Sequence, residues 1–319
     1  MKSELNHSIL FYNVENLFDI NDDPIVMDSD YTPRGKYKWT QERYDRKLAL
    51  LENIILSVHD KHPIIAGFSE VENRGVMEDL INQPRMKEIS YEILHRDSPD
   101  VRGIDVGLIF DNERVEYLQH EYLRINFPWN RDIKTRDVLF FQAVIGGEEF
   151  WIVVNHWPSR RDGAKQTENK RLHVADKVRE KIEQIQFDHP ESNILIMGDF
   201  NDEPTDISLT RILKAKRDKN IRSDEFFNLS AELDNQKIGT STHMGEWLML
   251  DQILINRVLL HAKDDSIIVK NNEVNVYKHK SVLHFRANGK CQPNRTYAGT
   301  KYIGGVSDHL PVYVVLDRK

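Results

Sequence analysis

Acidic, amide and imidazole side chains follow several apolar runs of this sequence. The run at residues 194–197 stops at Gly198 and is followed by Asp199 and Asn201. Taken singly, such residues also suit an ordinary turn or a helix cap, because their side chains hydrogen-bond nearby backbone groups. The same arrangement nevertheless recurs along the chain. The residues concerned are Asn13, Glu15, Glu70, His156, Asp199 and Asn201, and Asp308 and His309 directly precede the last apolar run.

These polar residues can act together in one reaction only if the fold brings them to one edge. Oxygen ligands without cysteine suit magnesium, which keeps several waters and binds substrate phosphate oxygens. Asp251 differs because it lies within an apolar run, where a buried acid needs a histidine or an arginine as its partner. An acid–histidine pair beside a metal can deprotonate water or balance charge on a phosphorane-like transition state. The residue types therefore predict a metal-assisted phosphate-ester hydrolase.

Short apolar runs rich in Ile, Val and Phe would position these residues. Their length and continuous hydrophobicity predict buried strands that are covered on both faces. They lie at residues 8–12, 63–68, 106–110, 138–145, 150–154, 194–197, 248–255 and 310–316. Apolar residues at three- and four-residue steps predict helices after Thr40 and at 165–187, and Asp206 is the predicted cap of a third. We expect one α/β domain over residues 1–319, with mixed sheets packed together and helices outside.

The composition excludes several classes of protein. With 39% hydrophobic and 30% charged residues among 319, the chain is expected to fold as a globular protein without a membrane span. Its net charge of -7 argues against coating nucleic acid through bulk electrostatics, but not against a local basic groove. Cys291 is the only cysteine, so neither an intramolecular disulfide nor a cysteine-rich zinc site is expected. The N-terminal segment lacks the features of a signal peptide, which predicts a cytoplasmic location unless a leader has been removed.

Seven segments, taken in order, resemble the endonuclease/exonuclease/phosphatase superfamily of metal-dependent phosphoesterases, which includes deoxyribonuclease-type and AP-endonuclease-type enzymes. They are FYNVENLFD (11–19), GFSEVEN (67–73), RGIDVGLIF (102–110), VNHWPSR (154–160), MGDFNDEP (197–204), WLMLDQILI (247–255) and GGVSDHLPV (304–312). Either G-D-F-N or S-D-H-x-P alone would be weak, but the two in this order are specific. The resemblance covers essentially the whole chain and implies a four-layered α/β sandwich of two mixed β-sheets with helices on the outer faces.

The resemblance also implies roles in binding a metal and a phosphate. Asn13 and Glu70 match the metal-site pair, with Glu70 as the principal carboxylate ligand of Mg²⁺ or Mn²⁺. Asp308 matches a further carboxylate near the metal, and Glu15 is a weaker match to a second metal position. His156 matches the histidine that binds and neutralises the scissile phosphate.

The remaining matches concern the attacking water. Asp199 and Asn201 match the pair that orients this water and holds a phosphate oxygen. His309 matches the active-site histidine, and Asp251 matches the acid that orients it. The sequence leaves open which group is the general base and whether one or two metal ions bind.

Departures from other branches of the superfamily constrain the substrate. Glu72 stands where AP-endonuclease-type members carry lysine, and the segment around Asp251 lacks the Cys and Arg of inositol-polyphosphate phosphatases. The chain also shows no apolar, aromatic membrane-facing loop of the sphingomyelinase type. Arg102, Arg160 and Arg295, with nearby tyrosines, suit a nucleic-acid strand through phosphate contacts and base stacking.

The sequence therefore predicts a magnesium- or manganese-dependent nuclease that hydrolyses phosphodiester bonds by in-line water attack, without a membrane or an obligate protein partner. Two alternatives stay open. One is a phosphatase or phosphodiesterase acting on a small phosphorylated metabolite or lipid headgroup. The other is a non-catalytic binding domain that retains the fold, and the joint presence of the polar residues counts against it. DNA, RNA and small phosphate esters are not distinguished.

Overall fold

The computed structural model of the protein describes residues 5–161, 163–286 and 289–319. In chain order, its strands are β1 (His7–Leu17), β2 (Ile65–Val71), β3 (Tyr91–His95), β4 (Asp105–Asp111), β5 (Val115–Leu123), β6 (Val138–Ile145), β7 (Glu148–His156), β8 (Asn193–Asp199), β9 (Ala215–Lys216), β10 (Phe226–Asn228), β11 (Ser241–His243), β12 (Glu246–Leu248), β13 (Asp251–Asn256), β14 (Ile267–Val269), β15 (Asn275–Val276), β16 (Leu283–Phe285), β17 (Cys291–Pro293), β18 (Tyr297–Ala298), β19 (Lys301–Tyr302) and β20 (Val312–Arg318). The α-helices are α1 (Gln41–Ile55), α2 (Arg74–Ile81), α3 (Ala164–Asp188), α4 (Ala231–Asn235) and α5 (Arg257–Leu260). Short 3₁₀-helices lie at Ser29–Tyr31, Met86–Glu88, Lys270–Asn272 and Lys280–Val282, and a π-helical turn lies at Ser208–Ile212.

Two seven-stranded sheets contain most of the strands. The first has the order β14-β20-β1-β2-β4-β3, with β15 also paired to β20, and the second has the order β5-β6-β7-β8-β13-β10-β9. In the first sheet β1 is parallel to β2 and antiparallel to β20. In the second, β8 is parallel to β7 and antiparallel to β13. Both sheets are therefore mixed, and the parallel pairs bring the carboxyl ends of β1 and β2, and of β7 and β8, to a common edge.

Successive side chains of the central strands enter different hydrophobic layers. In β1, Ile9 and Phe11 belong to the cluster between the two sheets, whereas Leu10 and Tyr12 belong to the cluster beneath α1 and α2. A third cluster joins the outer face of the second sheet to α3. Because side chains of a strand alternate between faces, a strand covered on both sides must be apolar throughout. The four-layered sandwich predicted from the sequence is confirmed.

The two long helices lie where the apolar periodicity predicts them. α1 begins after Thr40, whose extended backbone ends the preceding segment, and it buries Leu48, Leu51 and Ile55. α3 extends the predicted range 165–187 by one residue at each end. The third predicted helix is present only as a short π-helical element at Ser208–Ile212, and the predicted cap is wrong, because no side chain caps this element. The Asp206 carboxylate instead pairs with Arg160.

Some strand predictions need correction. The predicted strand at 248–255 is two strands, β12 and β13, which are separated by Met249 and Leu250. The Leu250 carbonyl accepts a hydrogen bond from the Phe200 amide at 2.9 Å. At this point the chain is therefore hydrogen-bonded to the loop after β8. β5 escaped prediction because it is the edge strand of its sheet and most of its side chains are exposed. In the described part of the chain, no helix is both long enough and apolar enough to cross a membrane.

Candidate active site

The strand ends bring the predicted residues to one pocket. His156 of β7 and Asp251 of β13 both lie opposite Asp199 of β8 in the strand register. Asn13 of β1 lies opposite Ser69 of β2, next to Glu70. The pocket has a volume of about 280 Å³. Among the predicted residues, those lining it are Glu15, Glu70, Arg102, His156, Asp199, Asn201, Arg295, Asp308 and His309.

His309 and Asp251 form the buried acid–histidine pair that the apolar run around Asp251 predicts. His309 Nδ1 and Asp251 Oδ2 are 2.6 Å apart, and Asp251 has no solvent exposure. Burial alone would lower the pKa of His309, but Asp251 and Asp199 outweigh it and raise that pKa well above its usual value. The imidazole is therefore positively charged at neutral pH. Its other nitrogen, Nε2, lies 3.8 Å from Asp199 Oδ2.

Asp199 lies between the two histidines. Its Oδ2 accepts the Asn13 side-chain amide at 3.0 Å and lies 3.8 Å from His156 Nε2, while its Oδ1 accepts the backbone amide of Asn201 at 2.9 Å. Burial raises the pKa of Asp199 to about 7, with the charge of Asp251 acting in the same direction and that of His309 opposing it. A carboxylate with a pKa near neutrality can both accept and release a proton at physiological pH.

His156 has the opposite electrostatic environment to His309. Burial lowers the pKa of His156 well below its usual value, and the neighbouring Arg136 and Arg102 add to this shift. The imidazole is therefore neutral. Its Nε2 lies 3.9 Å from Glu70 Oε1, and its buried Nδ1 has no hydrogen-bond partner within the described residues. One pocket thus contains a charged and a neutral histidine, one on each side of Asp199.

The carboxylates at the mouth of the pocket could hold a divalent metal. β1 and β2 both lose their regular register near their carboxyl ends, where Glu15, Asn16 and Glu70 adopt positive φ angles. Such bulges re-aim side chains at the end of a strand. One Glu70 oxygen accepts the Asn16 amide at 2.9 Å, and the other faces His156. Asp308 lines the same pocket.

The charge balance of the pocket also fits a cation. Burial raises the pKa of Glu15 to about 8, and the nearby Asp308 adds to this shift, although Lys47 opposes it. An added divalent cation would relieve this repulsion, and the ligand set of oxygens without sulfur suits Mg²⁺ or Mn²⁺. Asp199, Asp251 and His309 also lie close enough together to hold an ion. Since His309 and Asp251 already bind each other, Glu70 and Asp308 are better placed for this purpose.

The arginines divide between those that line the pocket and Arg160, which binds acidic side chains in a neighbouring loop. Arg102 and Arg295 line the pocket, as does Arg161, which the sequence did not single out. Arg160 does not line it. Its guanidinium donates to Asp202 at 3.0 Å and to Asp206 at 2.5 Å, so the predicted substrate contact of Arg160 is replaced by a structural one.

A buried ionic network holds the loop that carries Asn201. Arg171 of α3 donates to Asp202 Oδ1 at 2.6 Å, to Thr167 Oγ1 at 2.6 Å and to the Ala164 carbonyl at 2.8 Å. The Arg171 side chain is 2% exposed, and that of Asp202 is 4% exposed. Because the network also includes Arg160, it links α3 to both loops that border the pocket.

We expect Arg171→Ala to lower the free energy of unfolding by roughly 3 kcal/mol, since it leaves the buried Asp202 carboxylate without its main partner. Urea titration followed by far-UV circular dichroism measures this. Lys165→Ala, at an exposed position of the same helix, is the matched control and should change stability by less than about 0.5 kcal/mol. Equal stabilities of the two variants would contradict the assignment of the network as structural.

Two positioning residues escaped the sequence-based analysis. Thr240 connects the segments of Asp251 and His309, since its Oγ1 accepts the Asp251 amide at 3.1 Å and its carbonyl accepts the Leu310 amide at 2.7 Å. No sequence signal marks it. Lys47 is fully buried and donates to the Glu15 carbonyl and to Thr296 Oγ1. Its signal was present, because it is a lysine on the apolar face of the predicted helix.

Similar proteins support this picture at the level of the family and the fold. Solved structures with the same fold include D. rerio TDP2 complexed with single strand DNA product (15% identity, TM-score 0.58, 98% of each chain covered). They also include the human Nocturnin catalytic domain with bound sulfate anion (16% identity, TM-score 0.57, 100% of this chain and 97% of that one). A third is an endonuclease/exonuclease/phosphatase family protein from Bacteroides thetaiotaomicron (15% identity, TM-score 0.59, 99% of each chain). No curated protein matches this chain significantly.

The family model covers almost the entire chain. Residues 8–318 match that of the Endonuclease/Exonuclease/phosphatase family, from the start of β1 to the end of β20. The match spans all the strand ends that build the pocket, and it agrees with the resemblance in the seven sequence segments. The chain therefore belongs to the Endonuclease/Exonuclease/phosphatase family.

Proposed function

We propose that this protein is a divalent-metal-dependent phosphodiesterase that cleaves nucleic-acid strands by in-line attack of water. The observation that carries the proposal is the arrangement around Asp199, which lies 3.8 Å from both a charged and a neutral histidine. An acid–imidazolium pair beside a carboxylate of near-neutral pKa supplies both a proton acceptor and positive charge. Phosphoryl transfer needs both functions at one point.

The side chains of this chain have separable tasks in such a reaction. Asp199 orients the attacking water and takes up its proton, while Asn13 and the Asn201 amide hold the carboxylate in place. The imidazolium of His309, oriented by Asp251, stabilises the negative charge that develops on the phosphate. His156 is neutral, so it can donate a hydrogen bond to a phosphate oxygen without adding charge.

The metal would be held by Glu70 and Asp308, with the Asn13 amide oxygen nearby and Glu15 as a second position. When bound, Mg²⁺ or Mn²⁺ supplies a Lewis acid that neutralises charge on the phosphate oxygens. The chain's own contribution is to present these oxygens in one orientation. The backbone amide of Asn16 fixes one Glu70 oxygen and that of Glu15 binds Asn13 Oδ1 at 3.0 Å.

Treatment with EDTA is expected to abolish hydrolysis, and an excess of Mg²⁺ or Mn²⁺ should restore it to at least about 80% of the starting rate. The physical reason is that Glu70 and Asp308 offer the oxygen ligands for a divalent cation, and the proposed neutralisation of charge on the phosphate oxygens depends on that cation. The measurement is release of a fluorescent product from an end-labelled oligonucleotide. Full activity in EDTA after extensive dialysis would contradict the metal dependence.

Three arginines favour a nucleic-acid substrate. Arg102, Arg161 and Arg295 line the pocket and can contact phosphate groups of a nucleic-acid strand. The similarity in fold to TDP2 complexed with single strand DNA product is in keeping with this choice.

A phosphatase or phosphodiesterase of small phosphorylated compounds is the second candidate. The confined volume of about 280 Å³ supports it, since such a pocket accepts a single small unit. A panel of single-stranded DNA, duplex DNA, RNA, phosphomonoesters and lipid-headgroup phosphodiesters separates the two. Phosphate release from monoesters while all polynucleotides stay intact would overturn the nucleic-acid assignment.

A further inference from the structure

Three side chains outside the pocket form a second cluster of candidate metal ligands. His95 ends β3, Asp105 begins β4, and Asp97 lies in the connecting loop 96–104. One imidazole nitrogen and one oxygen of each carboxylate lie within 4.8 Å of one another. None of the three is among the described residues that line the pocket of Glu70, so the metal assigned above gives them no task.

The pairing of β3 with β4 brings two of these side chains to one face of the first sheet. His95 lies opposite Gly107, and Asp105 precedes Gly107 by two residues. Because side chains alternate between the faces of a strand, the Asp105 carboxylate and the His95 imidazole point to the same face. Gly107 has no side chain that could separate them. The strand register therefore sets the distance between the two groups.

The imidazole of His95 is buried but lacks a hydrogen bond at one nitrogen. Its side chain is 1% exposed, and Nε2 has no hydrogen-bond partner within the described residues. Asp105 Oδ2 lies 3.7 Å from this nitrogen, which is too long for a hydrogen bond. A buried polar atom without a partner is costly, so a ligand that binds both atoms would remove this cost.

The separation of these two atoms distinguishes a metal ion from a bridging water. Two ligands at roughly 2.0–2.2 Å from a tetrahedral ion lie about 3.4 Å apart. Two partners of one water, at roughly 2.8 Å each and in tetrahedral directions, lie about 4.6 Å apart. The observed 3.7 Å between His95 Nε2 and Asp105 Oδ2 is nearer to the first value, so the gap fits a metal ion.

Asp97 supplies a third ligand from the solvent side. Its Oδ1 lies 3.8 Å from the other imidazole nitrogen of His95, Nδ1, and its side chain is 82% exposed. An exposed side chain changes rotamer at little cost, so Asp97 can turn toward a cation held by His95 and Asp105. Water would complete a tetrahedral set of ligands on this open side.

The protonation states of the buried groups also suit a cation. Burial lowers the pKa of His95 to about 4, against the charge of Asp97. The imidazole is therefore neutral at neutral pH, and one of its nitrogens has a free lone pair. Burial raises the pKa of Asp105 to about 7, and the charges of Asp97 and Asp100 add to this shift, although hydrogen bonds from Ser98 oppose it. A bound dication would relieve this repulsion.

The donor set selects the metal. An imidazole with two carboxylates and no cysteine suits Zn²⁺, whereas Mg²⁺ prefers oxygen ligands alone. Arg74 is a nearby positive charge, since it adds to the lowering of the pKa of His95. Its guanidinium is paired with Glu78 at 2.9 Å, so this charge is partly balanced.

The cluster lies at the base of the loop that carries Arg102 to the pocket. Within this loop, Asp100 accepts the Arg102 amide at 3.0 Å and the Arg136 guanidinium at 2.9 Å. Arg136 also donates to the Trp157 carbonyl at 2.6 Å, which ties the loop to the segment after β7. A cation that joins the two ends of the loop would therefore fix the backbone from which Arg102 reaches the pocket.

We propose that His95, Asp97 and Asp105 form a Zn²⁺ site, separate from the pocket, that closes the base of the loop 96–104. The site is structural, because bound Zn²⁺ crosslinks the end of β3 to the start of β4 and orders the loop between them. It does not depend on the proposed function, since none of its ligands lines the pocket.

Calorimetric titration of the metal-free protein with Zn²⁺ tests the site, in excess Mg²⁺ that occupies the oxygen ligands of the pocket. The natural protein should show a saturable Zn²⁺ site that Mg²⁺ does not displace. His95→Gln and Asp97→Asn should each raise its dissociation constant by at least about tenfold, since each removes one of three protein ligands. Glu70→Gln, in the pocket, should leave it unchanged. Far-UV circular dichroism checks folding, which Asp97→Asn should retain because its side chain is exposed.

The matched control is His284→Gln, at an exposed position of β16, which should bind Zn²⁺ as the natural protein does. Hydrogen exchange followed by mass spectrometry locates the ion, since Zn²⁺ should slow exchange in residues 96–104. Absence of a saturable Zn²⁺ site would overturn the proposal, as would unchanged affinity in a folded His95→Gln or Asp97→Asn variant. Loss of Zn²⁺ binding in Glu70→Gln would overturn it in favour of binding in the pocket.

Discussion

The variant His309→Ala is expected to lower kcat/KM for phosphodiester hydrolysis by roughly 10³-fold, while leaving the protein folded. The imidazolium is held by a 2.6 Å hydrogen bond to a fully buried carboxylate, and it is the positive side chain nearest to Asp199. Alanine removes that charge from the point where negative charge develops. Initial rates on a labelled single-stranded oligonucleotide, at saturating Mg²⁺, measure the loss.

Two further variants sharpen this result. Asp251→Asn keeps the size of the side chain but removes the charge that holds His309 protonated, so we expect a loss in kcat of about 10²-fold or more. His279→Ala is the matched control, since His279 is exposed and, among the described residues, its ring hydrogen-bonds its near neighbour Ser281. It should retain full activity. A His309→Ala variant with more than about a tenth of the natural activity would contradict the role of the imidazolium.

Glu70→Gln is expected to raise the concentration of Mg²⁺ needed for half-maximal activity by at least about tenfold, and to lower kcat/KM by roughly 10²-fold. The carboxylate ends a strand at a bulge, has one oxygen fixed by the Asn16 amide and presents the other to the pocket. Glutamine keeps the shape but removes the charge that attracts the cation. Calorimetric titration with Mn²⁺, alongside activity, separates lost metal affinity from lost chemistry.

The same titration on other carboxylates locates the metal more closely. Asp308→Asn should show a smaller increase in the dissociation constant for Mn²⁺, because the Asp308 side chain is 33% exposed and partly paired with Arg295. Glu116→Gln, on the exposed edge strand β5, should show none. Unchanged Mn²⁺ affinity in Glu70→Gln would refute Glu70 as the principal ligand.

Much of the fold was predictable because the sandwich covers both faces of its central strands. That arrangement forces continuous apolar runs, such as residues 138–145 in β6, and these are visible without any partner. The edge strand β5 does not need to be apolar on both faces. Most of its side chains are exposed, and many are polar, so its sequence did not predict a strand. The prediction of one strand at 248–255 failed for a different reason. The break at Leu250 coincides with a hydrogen bond from the amide of Phe200, which lies 50 residues earlier in the chain.

The candidate site was predictable to the level of residue type. Asp251 was marked as needing a histidine or an arginine, and the structure provides His309, 58 residues further along the chain. Asn13 and Asp199 meet across 186 residues, because β1 and β8 lie in different sheets whose edges coincide. Sequence spacing carries no trace of such a contact.

The sequence by itself determined the layered architecture, the family and the set of polar residues at the strand ends, since burial and residue chemistry leave local patterns. Only the tertiary structure decided which neighbour faces the pocket. Arg160 turns toward Asp202 and Asp206 while Arg161 lines the pocket, and no pattern in two adjacent arginines distinguishes them. The pocket likewise contains both Tyr31 and Tyr297, which lie far apart in the sequence. In the loops that follow the strands, the direction of each side chain depends on the path of the backbone. Contacts between segments distant in sequence set that path.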